Sequence, residues 1–297
     1  MFTNSVLEKE IHEQPAVIRR LLDKEWDNIA RITDALRGRF NRIIIAARGT
    51  SDNAARYAKY LFGAHNQLQV ALATPSLFTM YHLPPRMDGA LIVGISQSGQ
   101  SPDIVSVITE GRRQGEPTLA ITNDAQSPLA VKAEYVISLH AGKEEAVAAT
   151  KTYTASLAAL ALLSSLLVED TPRADTSKHP LDELRALPDQ ISKTLEGVAP
   201  LLTRVERYRF MEHCAVIGRG YNYATAFEIA LKVKELTRIV AEPYSSADFR
   251  HGPIAMINEG FPVISIAPQG DVTPDVRRLI QELKPLNAEQ LIISDDA

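Results

Sequence analysis

Short, continuously apolar runs alternate with segments of helical composition along this chain, and no other feature constrains its fold as strongly. The first half contains five such runs, at residues 42–47, 68–73, 90–95, 118–122 and 135–139. A run without polar interruptions is typical of a parallel strand that is covered on both faces. Helices are expected at residues 6–36, 54–62, 103–113 and 150–168. The alternation predicts an α/β fold built on a doubly wound parallel sheet.

The same alternation restarts in the second half of the chain. Residues 169–180 are polar, contain two prolines and are interpreted as the domain boundary. Helices are then expected at residues 181–207, 222–237 and 276–283, and strands at 214–218, 261–266 and 290–294.

The two halves also resemble each other in sequence. Residues 44–49 match residues 215–220, and residues 92–97 match residues 263–268. A chain of 297 residues is long enough for two cores of about 100–150 residues each. Two copies of one α/β unit are the simplest explanation.

Composition excludes several classes of function. A net charge of −4 gives no electrostatic footprint for nucleic acid or acidic membranes. Cys214 is the only cysteine, which excludes an internal disulfide and fits a reducing, cytoplasmic location. No signal peptide is expected, because a basic segment followed by an apolar one is missing from the N-terminus. The apolar run at residues 155–168 is shorter than the roughly 20 residues of a membrane span.

Hydroxyl side chains follow two strands of the first predicted sheet. Ser96-Gln97-Ser98-Gly99 comes directly after one strand, and Thr50-Ser51 follows another. Backbone N–H groups at a helix N-terminus, together with short hydroxyl donors, favour a phosphate site. The alternative is a simple N-cap with a turn glycine. The second copy has Tyr221-Asn222 and Pro268-Gln269 at these places, so the first copy is the one expected to bind phosphate, at the carboxyl ends of its strands.

Three charged residues of the second half share one face of a predicted helix. Glu228, Lys232 and Glu235 are spaced i, i+4 and i+7. The ordinary interpretation is an exposed ion pair, worth about 0.2–0.5 kcal/mol. His251 lies in a polar loop before Gly252-Pro253, where it is either a cap or surface residue or a proton shuttle with a suitable pKa.

Several segments together resemble one family. In their order along the chain they are similar to the sugar isomerase (SIS) domains of glucosamine–fructose-6-phosphate aminotransferase and of stand-alone amino-sugar-phosphate deaminases and deglycases. The resemblance runs from about residue 8 to the C-terminus and rests on residues 8–15, 48–54, 95–99, 148–151, 228–235 and 249–253.

The resemblance implies a fold and a division into domains. It implies two tandem SIS-type domains, each a three-layer αβα, flavodoxin-like arrangement around a doubly wound parallel sheet. The expected segments are an N-terminal helical segment (residues 1–36), a first, phosphate-binding domain (37–170), a linker (171–180) and a second domain (181–297) that carries the catalytic groups and is short at its C-terminal end.

The resemblance also implies roles for individual residues. Glu235 would move a proton between C1 and C2 of the sugar, and Glu228 and Lys232 would line the sugar site. His251 would assist ring opening from the neighbouring subunit, which makes a homodimer the expected active unit, and neither a metal nor a redox cofactor is implied. The residues expected to hold the sugar phosphate are Thr50, Ser51, Ser96, Gln97, Ser98 and Ser101.

Three departures from the family pattern shape the expected reaction. The segment at residues 8–15 lies close to Met1, without a preceding glutaminase domain, so glutamine-derived ammonia is not expected. The family's C-terminal tail with a site lysine has no counterpart before Ala297, and Ala149 stands where a serine is common.

The favoured reaction is therefore deamination and isomerisation of glucosamine 6-phosphate to fructose 6-phosphate and ammonia. A fructosamine-6-phosphate deglycase and a tagatose- or galactosamine-phosphate isomerase stay open as alternatives. A sugar-phosphate-binding regulator without turnover is the alternative from a different class.

Overall fold

A computed structural model describes residues 5–168 and 180–295 of the chain. The chain divides into two compact units, Met1–Ala199 and Pro200–Ala297. Of the predicted linker, residues 171–179 lie outside the described residues, so the linker stays a prediction.

The first unit contains a five-stranded parallel sheet with the strand order β2-β1-β3-β4-β5. Its strands are β1 (Arg42–Ala46), β2 (Gln69–Leu72), β3 (Ala90–Ser96), β4 (Thr118–Thr122) and β5 (Tyr135–Ser138). Its helices are α1 (Val6–Leu36), α2 (Thr50–Asn66), α3 (Ser76–Thr79), α4 (Pro102–Arg113), α5 (Pro128–Lys132), α6 (Lys151–Leu167) and α7 (Pro180–Val198).

Strand β3 shows why the sheet is covered on both faces. Every residue of this strand is buried. Leu91, Val93 and Ile95 belong to a core cluster that includes residues of α1, α2 and α6. Ala90 and Ile92 belong to a separate cluster with residues of α4. Because successive side chains of a strand point to opposite faces, the two clusters lie on opposite sides of the sheet, which gives the three layers expected from the sequence.

The second unit repeats this plan with a four-stranded parallel sheet in the order β7-β6-β8-β9. Its strands are β6 (His213–Gly218), β7 (Val240–Ser245), β8 (Pro262–Ile266) and β9 (Glu289–Ile293). Its helices are α8 (Tyr221–Thr237), α9 (Ser246–Arg250) and α10 (Thr273–Leu283), with 3₁₀ segments at Ala199–Tyr208, Pro253–Met256 and Lys284–Leu286.

The expected duplication is confirmed down to the register of the strands. Ile44 of β1 pairs with Ile92 of β3, and their sequence counterparts Ala215 and Val263 pair in the second sheet. The turns after the first strand of each sheet also match. Gly49 has φ 55° and ψ −130°, and its counterpart Gly220 has φ 59° and ψ −131°.

Strand β7 was not predicted from the sequence. Pro243 and Glu242 interrupt its apolar character. The strand lies at the edge of its sheet and pairs only with β6 among the described strands, and an edge strand is the place where a sheet tolerates a proline.

Two predicted helix boundaries were wrong. The helix expected at residues 181–207 is α7, which ends at Val198 and is followed by a 3₁₀ segment. It was expected to open the second domain, but it packs on α1 and α6 of the first unit. Helix α2 begins at Thr50, four residues earlier than predicted, so Thr50 and Ser51 form its first turn. Within the described residues, none of the helices is both long and apolar enough to cross a membrane.

We expect Gly49→Ala and Gly220→Ala each to lower the free energy of unfolding by about 1–3 kcal/mol, because alanine rarely adopts this backbone conformation. Chemical denaturation followed by circular dichroism measures the change. Gly63→Ala is the matched control, since Gly63 lies within α2 and an added Cβ would meet no atom closer than 3.9 Å. Helix propensity predicts that this control raises the stability by up to about 1 kcal/mol. Equal stability of the Gly220→Ala and Gly63→Ala proteins would contradict the explanation that alanine is strained in the backbone conformation of this turn.

Candidate active site

The two hydroxyl-bearing segments of the first unit follow neighbouring strands. Strands β1 and β3 pair directly, while β2 lies on the far side of β1 and β4 on the far side of β3. The order of strands therefore reverses between β1 and β3, and open α/β sheets bind ligands at this switch point. Helix α2, with Thr50 and Ser51, follows β1, and the turn at residues 97–101 follows β3. The structure thus places all six predicted phosphate-binding residues at one edge of one sheet.

The turn after β3, which we call the cradle (residues 96–101), is tightly fixed by its own backbone. Gly99 has φ 62° and donates its N–H to the Ser96 hydroxyl at 3.1 Å. The carbonyls of Gln97 and Gly99 accept hydrogen bonds from the backbone N–H groups of Asn123 and Leu129, at 3.0 and 3.1 Å. A Cβ atom on Gly99 would lie 2.1 Å from the Ser127 hydroxyl oxygen. These contacts hold the backbone of the cradle on both sides of Gly99 and leave no room for a larger residue at that position.

The hydroxyls of the cradle have different roles. Ser96 is buried, and its hydroxyl accepts the N–H of Gly99, as expected if this serine only stabilises the turn. Ser98 is exposed, and among the residues that the structure describes its hydroxyl accepts one long contact, from the N–H of Gln100 at 3.4 Å. Ser101 is the N-cap residue of α4 but makes no side-chain capping bond. Ser98 and Ser101 therefore have hydroxyls that the turn itself does not require.

An arginine and an aspartate that the sequence analysis missed connect the two sides of the switch point. Arg48, just before α2, donates a hydrogen bond to Asp103 in the first turn of α4, at 2.6 Å. The Thr79 hydroxyl donates to the same carboxylate, at 2.9 Å. These two hydrogen bonds hold the pKa of Asp103 below its ordinary value. Arg48 belongs to the segment that carries the family resemblance, which was the signal that could have drawn attention to it.

The charged residues of α8 form a compact cluster, as their spacing predicted. The Lys232 ammonium lies 2.7 Å from the Glu235 carboxylate and 3.4 Å from that of Glu228. The side chains of Glu228 and Lys232 are only 8% and 18% exposed, whereas Glu235 is 31% exposed. An exposed surface pair is therefore the wrong description. Taking charges out of water is costly, so a cluster of this kind needs a reason beyond helix stability.

His251 lies at the end of the short helix α9, and its side chain is exposed. Its backbone N–H donates to the Asp248 carbonyl at 3.0 Å. Within the described part of the chain, its imidazole makes neither a hydrogen bond nor an ion pair, so no contact joins it to Glu235. The structure therefore leaves the imidazole available at the surface of the second unit.

Arg250 fixes the loop that presents His251. Its guanidinium donates to Glu282 at 2.7 Å, to Asp275 at 3.2 Å and to the Ser246 carbonyl at 2.9 Å. The Ser246 hydroxyl also bonds to the Asp275 carboxylate. The pKa of Asp275 lies below its ordinary value, first because of the Ser246 hydrogen bond and then because of the charges of Arg250 and Arg219. The sequence analysis missed this group, since its members come from separate segments.

The candidate residues fall into two sets, one in each unit. The first unit contains the hydroxyl and amide groups at its switch point, and the second contains Glu228, Lys232, Glu235 and His251.

Comparisons with known proteins match nearly the whole chain. A family model for the SIS domain matches residues 39–166 and 211–297. Glutamine–fructose-6-phosphate aminotransferase (isomerizing) from Staphylococcus aureus is 34% identical over 297 residues, covering 96% of this chain and 48% of that protein. The chain thus spans about half the length of the curated relatives it matches.

Two solved structures have the same fold. A protein from Silicibacter pomeroyi that is named as a phosphosugar isomerase is 33% identical to this chain. The TM-score is 0.90, and the match covers 99% of this chain and 87% of the other. The C-terminal domain of glucosamine–fructose-6-phosphate aminotransferase from Francisella tularensis is 25% identical with a TM-score of 0.85, covering 99% and 84%.

We expect Asp275→Asn to lower the free energy of unfolding by about 1–2 kcal/mol near pH 7, since charge-assisted hydrogen bonds from Ser246 and Arg250 are weakened. The folded-state pKa of Asp275 is below the ordinary value of 3.8. The contribution is therefore fully present above that value and is lost as the pH falls through the folded-state pKa.

Thermal denaturation near pH 7 and below about pH 3 tests this expectation. The difference between the wild type and Asp275→Asn should shrink in acid. The control is Asp271→Asn, which removes an exposed carboxylate in the preceding loop and should change the stability little at either pH. An equal loss of stability at both pH values would contradict a role for the ionised carboxylate.

Proposed function

The chain belongs to the SIS-domain family, and we propose that it is an enzyme that converts glucosamine 6-phosphate and water to fructose 6-phosphate and ammonia. The observation that carries this proposal is the cluster of Glu228, Lys232 and Glu235 on α8, in which a largely buried lysine pairs with one buried and one more exposed carboxylate. A carboxylate that is held by a fixed cation and is still open to solvent fits a base that moves a proton on a bound sugar.

The reaction balances without a redox partner. A carboxylate removes the proton from C2 of the open-chain amino sugar and returns it to C1, while a proton passes from the amine nitrogen to O1. The aldehyde becomes a CH2OH group and the amine becomes a ketimine at C2. Water then hydrolyses the ketimine to the ketone, and ammonia leaves. Each step moves protons or adds water, so the chemistry requires an ionised base, a second acid–base group for ring opening, and a fixed substrate.

The first unit supports binding of the phosphate. Helices α2 and α4 both begin at the switch point, and their N-termini favour anions through backbone N–H groups and the helix dipole. Ser98 and Ser101 add hydroxyls that the turn does not use, and the first turn of α2 contains two further hydroxyl residues, Thr50 and Ser51. Because hydrogen bonds already hold the backbone of the cradle in place, a phosphate bound there can position the reacting carbons.

The second unit supports proton transfer by Glu235. Lys232 donates to one oxygen of this carboxylate at 2.7 Å, which fixes its orientation. Glu228, the more buried carboxylate, balances the lysine charge from the previous turn of the helix. Glu235 is the more exposed of the two carboxylates and so is the one that a sugar can reach.

The relatives support a hexose 6-phosphate as substrate. Fructose 6-phosphate appears in the name of the aminotransferase that is 34% identical to this chain. The proposed reaction uses the same hexose skeleton, with the nitrogen released as ammonia and the ketone oxygen supplied by water.

We expect the wild-type protein to release ammonia from glucosamine 6-phosphate, and Glu235→Gln to slow the release by about 10²–10⁴-fold, the usual contribution of a general base. The variant should still bind fructose 6-phosphate in calorimetry, because glutamine keeps the shape of the side chain. Glu259→Gln, at an exposed carboxylate of the same unit, is the matched control and should keep wild-type turnover.

Other outcomes distinguish the alternatives. Turnover of a fructosamine 6-phosphate or of tagatose 6-phosphate in place of glucosamine 6-phosphate would replace the proposed substrate while keeping the enzyme. Binding of hexose 6-phosphates by the wild type without turnover of any of them would overturn the enzyme and indicate a sensor.

We further propose that the active unit is a homodimer in which His251 serves the site of the partner subunit. The exposed imidazole, which lies on a loop fixed by Arg250, fits a group that acts on a neighbouring chain.

Mixing Glu235→Gln protein with His251→Asn protein tests this arrangement. If His251 acts across the dimer, one site of each mixed dimer is intact, and re-equilibrated mixtures should recover about a quarter of the wild-type activity. If His251 acts within its own chain, every site keeps one defect, and no activity returns. Size-exclusion chromatography with light scattering provides the control for dimer formation in both variants.

A further inference from the structure

The loop between β5 and α6 (residues 139–150) lies at the same edge of the first sheet as the cradle. Asn123 connects the two. Its backbone N–H donates to the Gln97 carbonyl of the cradle at 3.0 Å. Its side-chain amide accepts from the N–H of Ala141 at 2.9 Å and donates to the Gly142 carbonyl at 2.6 Å. The loop is therefore attached directly to the turn proposed to hold phosphate.

Helix α1 holds the start of the loop and its middle at separate points. Arg20 donates to the His140 carbonyl at 2.7 Å, and Glu25 pairs with the His140 ring at 2.7 Å. Further along, the buried carboxylate of Glu10 accepts the backbone N–H groups of Glu145 and Ala146, at 2.6 and 3.1 Å. A single carboxylate thus fixes two successive peptide groups of the loop.

Lys151 completes the attachment from the other end of the loop. Its side chain is 4% exposed, and its ammonium lies 2.7 Å from Glu13, 3.6 Å from Glu10 and 2.7 Å from the Lys143 carbonyl. It is the first residue of α6, where a positive charge is unfavourable for the helix dipole. A buried lysine at this position is therefore poorly explained by the stability of α6 and well explained by the shape it imposes on the loop.

The apex of the loop is apolar and faces solvent. Val147 is 89% exposed, next to the two peptide groups that Glu10 fixes. On the far side, Glu144 accepts the backbone N–H of Thr150 at 2.8 Å and so closes the loop at the start of α6. The contacts made by Glu10 and Glu144 thus hold the segment that presents Val147 to solvent.

We propose that Glu10 and Lys151 are positioning residues, which hold residues 143–150 in the conformation that covers a hexose 6-phosphate bound at the cradle. This inference rests on the proposed function. Neither residue reacts with the substrate. Their effect is on the fraction of molecules whose loop is already in the binding-competent conformation, and therefore on affinity rather than on the chemical step.

Glu10→Ala tests the proposal, because it removes both hydrogen bonds to the loop while Lys151 keeps its contact with Glu13. If the loop of the variant is competent about a tenth of the time, KM for glucosamine 6-phosphate should rise about tenfold with kcat nearly unchanged. Glu10→Gln keeps one acceptor oxygen and should give a smaller rise. Hydrogen exchange measured by mass spectrometry should accelerate in residues 143–150 of Glu10→Ala and not in β3 or β4.

Glu134→Ala is the matched control. Glu134, like Glu10, is a carboxylate paired with a basic side chain, here Arg39, but it precedes β5 and so lies at the opposite edge of the same sheet. It should leave KM and loop exchange unchanged.

If the wild type is active and Glu10→Ala has the same KM, the positioning role is wrong. It is also wrong if hydrogen exchange in residues 143–150 is the same in both proteins. A wild type that neither binds nor turns over a hexose 6-phosphate would instead overturn the proposed function. The exchange measurement on the free proteins still decides whether Glu10 orders the loop.

Discussion

The reversal of strand order between the first and third strands of each sheet is the constraint on which the polar groups of this protein depend. The loops after these two strands leave the sheet in opposite directions and open a crevice between them. In both units an arginine follows the first strand, a hydroxyl residue follows the second, and an aspartate lies in the first turn of the helix after the third. These are Arg48, Thr79 and Asp103 in the first unit and Arg219, Ser246 and Asp275 in the second. The group therefore belongs to the duplicated fold, and each unit adds its own chemistry around it.

The largely buried charged residues distinguish the two units, because each unit holds a different cluster of them. Each unit contains a largely buried lysine held by two carboxylates, and burial of this kind costs more than an apolar contact would unless it fixes a geometry. In the first unit the carboxylates come from α1 and the geometry is that of a loop. In the second unit all three residues lie on α8, and the geometry is that of the carboxylate proposed as the base. The two clusters are Glu10, Glu13 and Lys151, and Glu228, Lys232 and Glu235.

The sequence predicted those parts of the structure that depend on local patterns. Continuous apolar runs identified eight strands, and the internal match identified the repeated unit, whose equivalent residues Ile44 and Ala215 occupy equivalent places in the two sheets. It failed where a tertiary position overrides local preference, as at Pro243, which only an edge strand tolerates. It also failed where a group is assembled from distant segments. Neither Asp275 nor the partners of Lys151 could be identified, because nothing local to α10 or α6 indicates a hydrogen bond to Ser246 or an ion pair with α1.

Comparison of the equivalent helices α2 and α8 indicates how the duplicated unit acquired different functions. Counted from Gly49 and Gly220, the positions of Glu228 and Lys232 correspond to Tyr57 and Leu61. In α2 these positions pack into the core that α2 shares with α6. In the second unit, α8 packs on strands β6, β7 and β8. Its face that corresponds to the α6-facing side of α2 carries the charged cluster. A helix face that need not cover an apolar neighbour can accept carboxylates and a lysine without loss of core. The change from an apolar to a charged face at one helix, with the loop hydroxyls kept in the other copy, is sufficient to assign the proposed anion binding and the proposed proton transfer to different copies of one repeated fold.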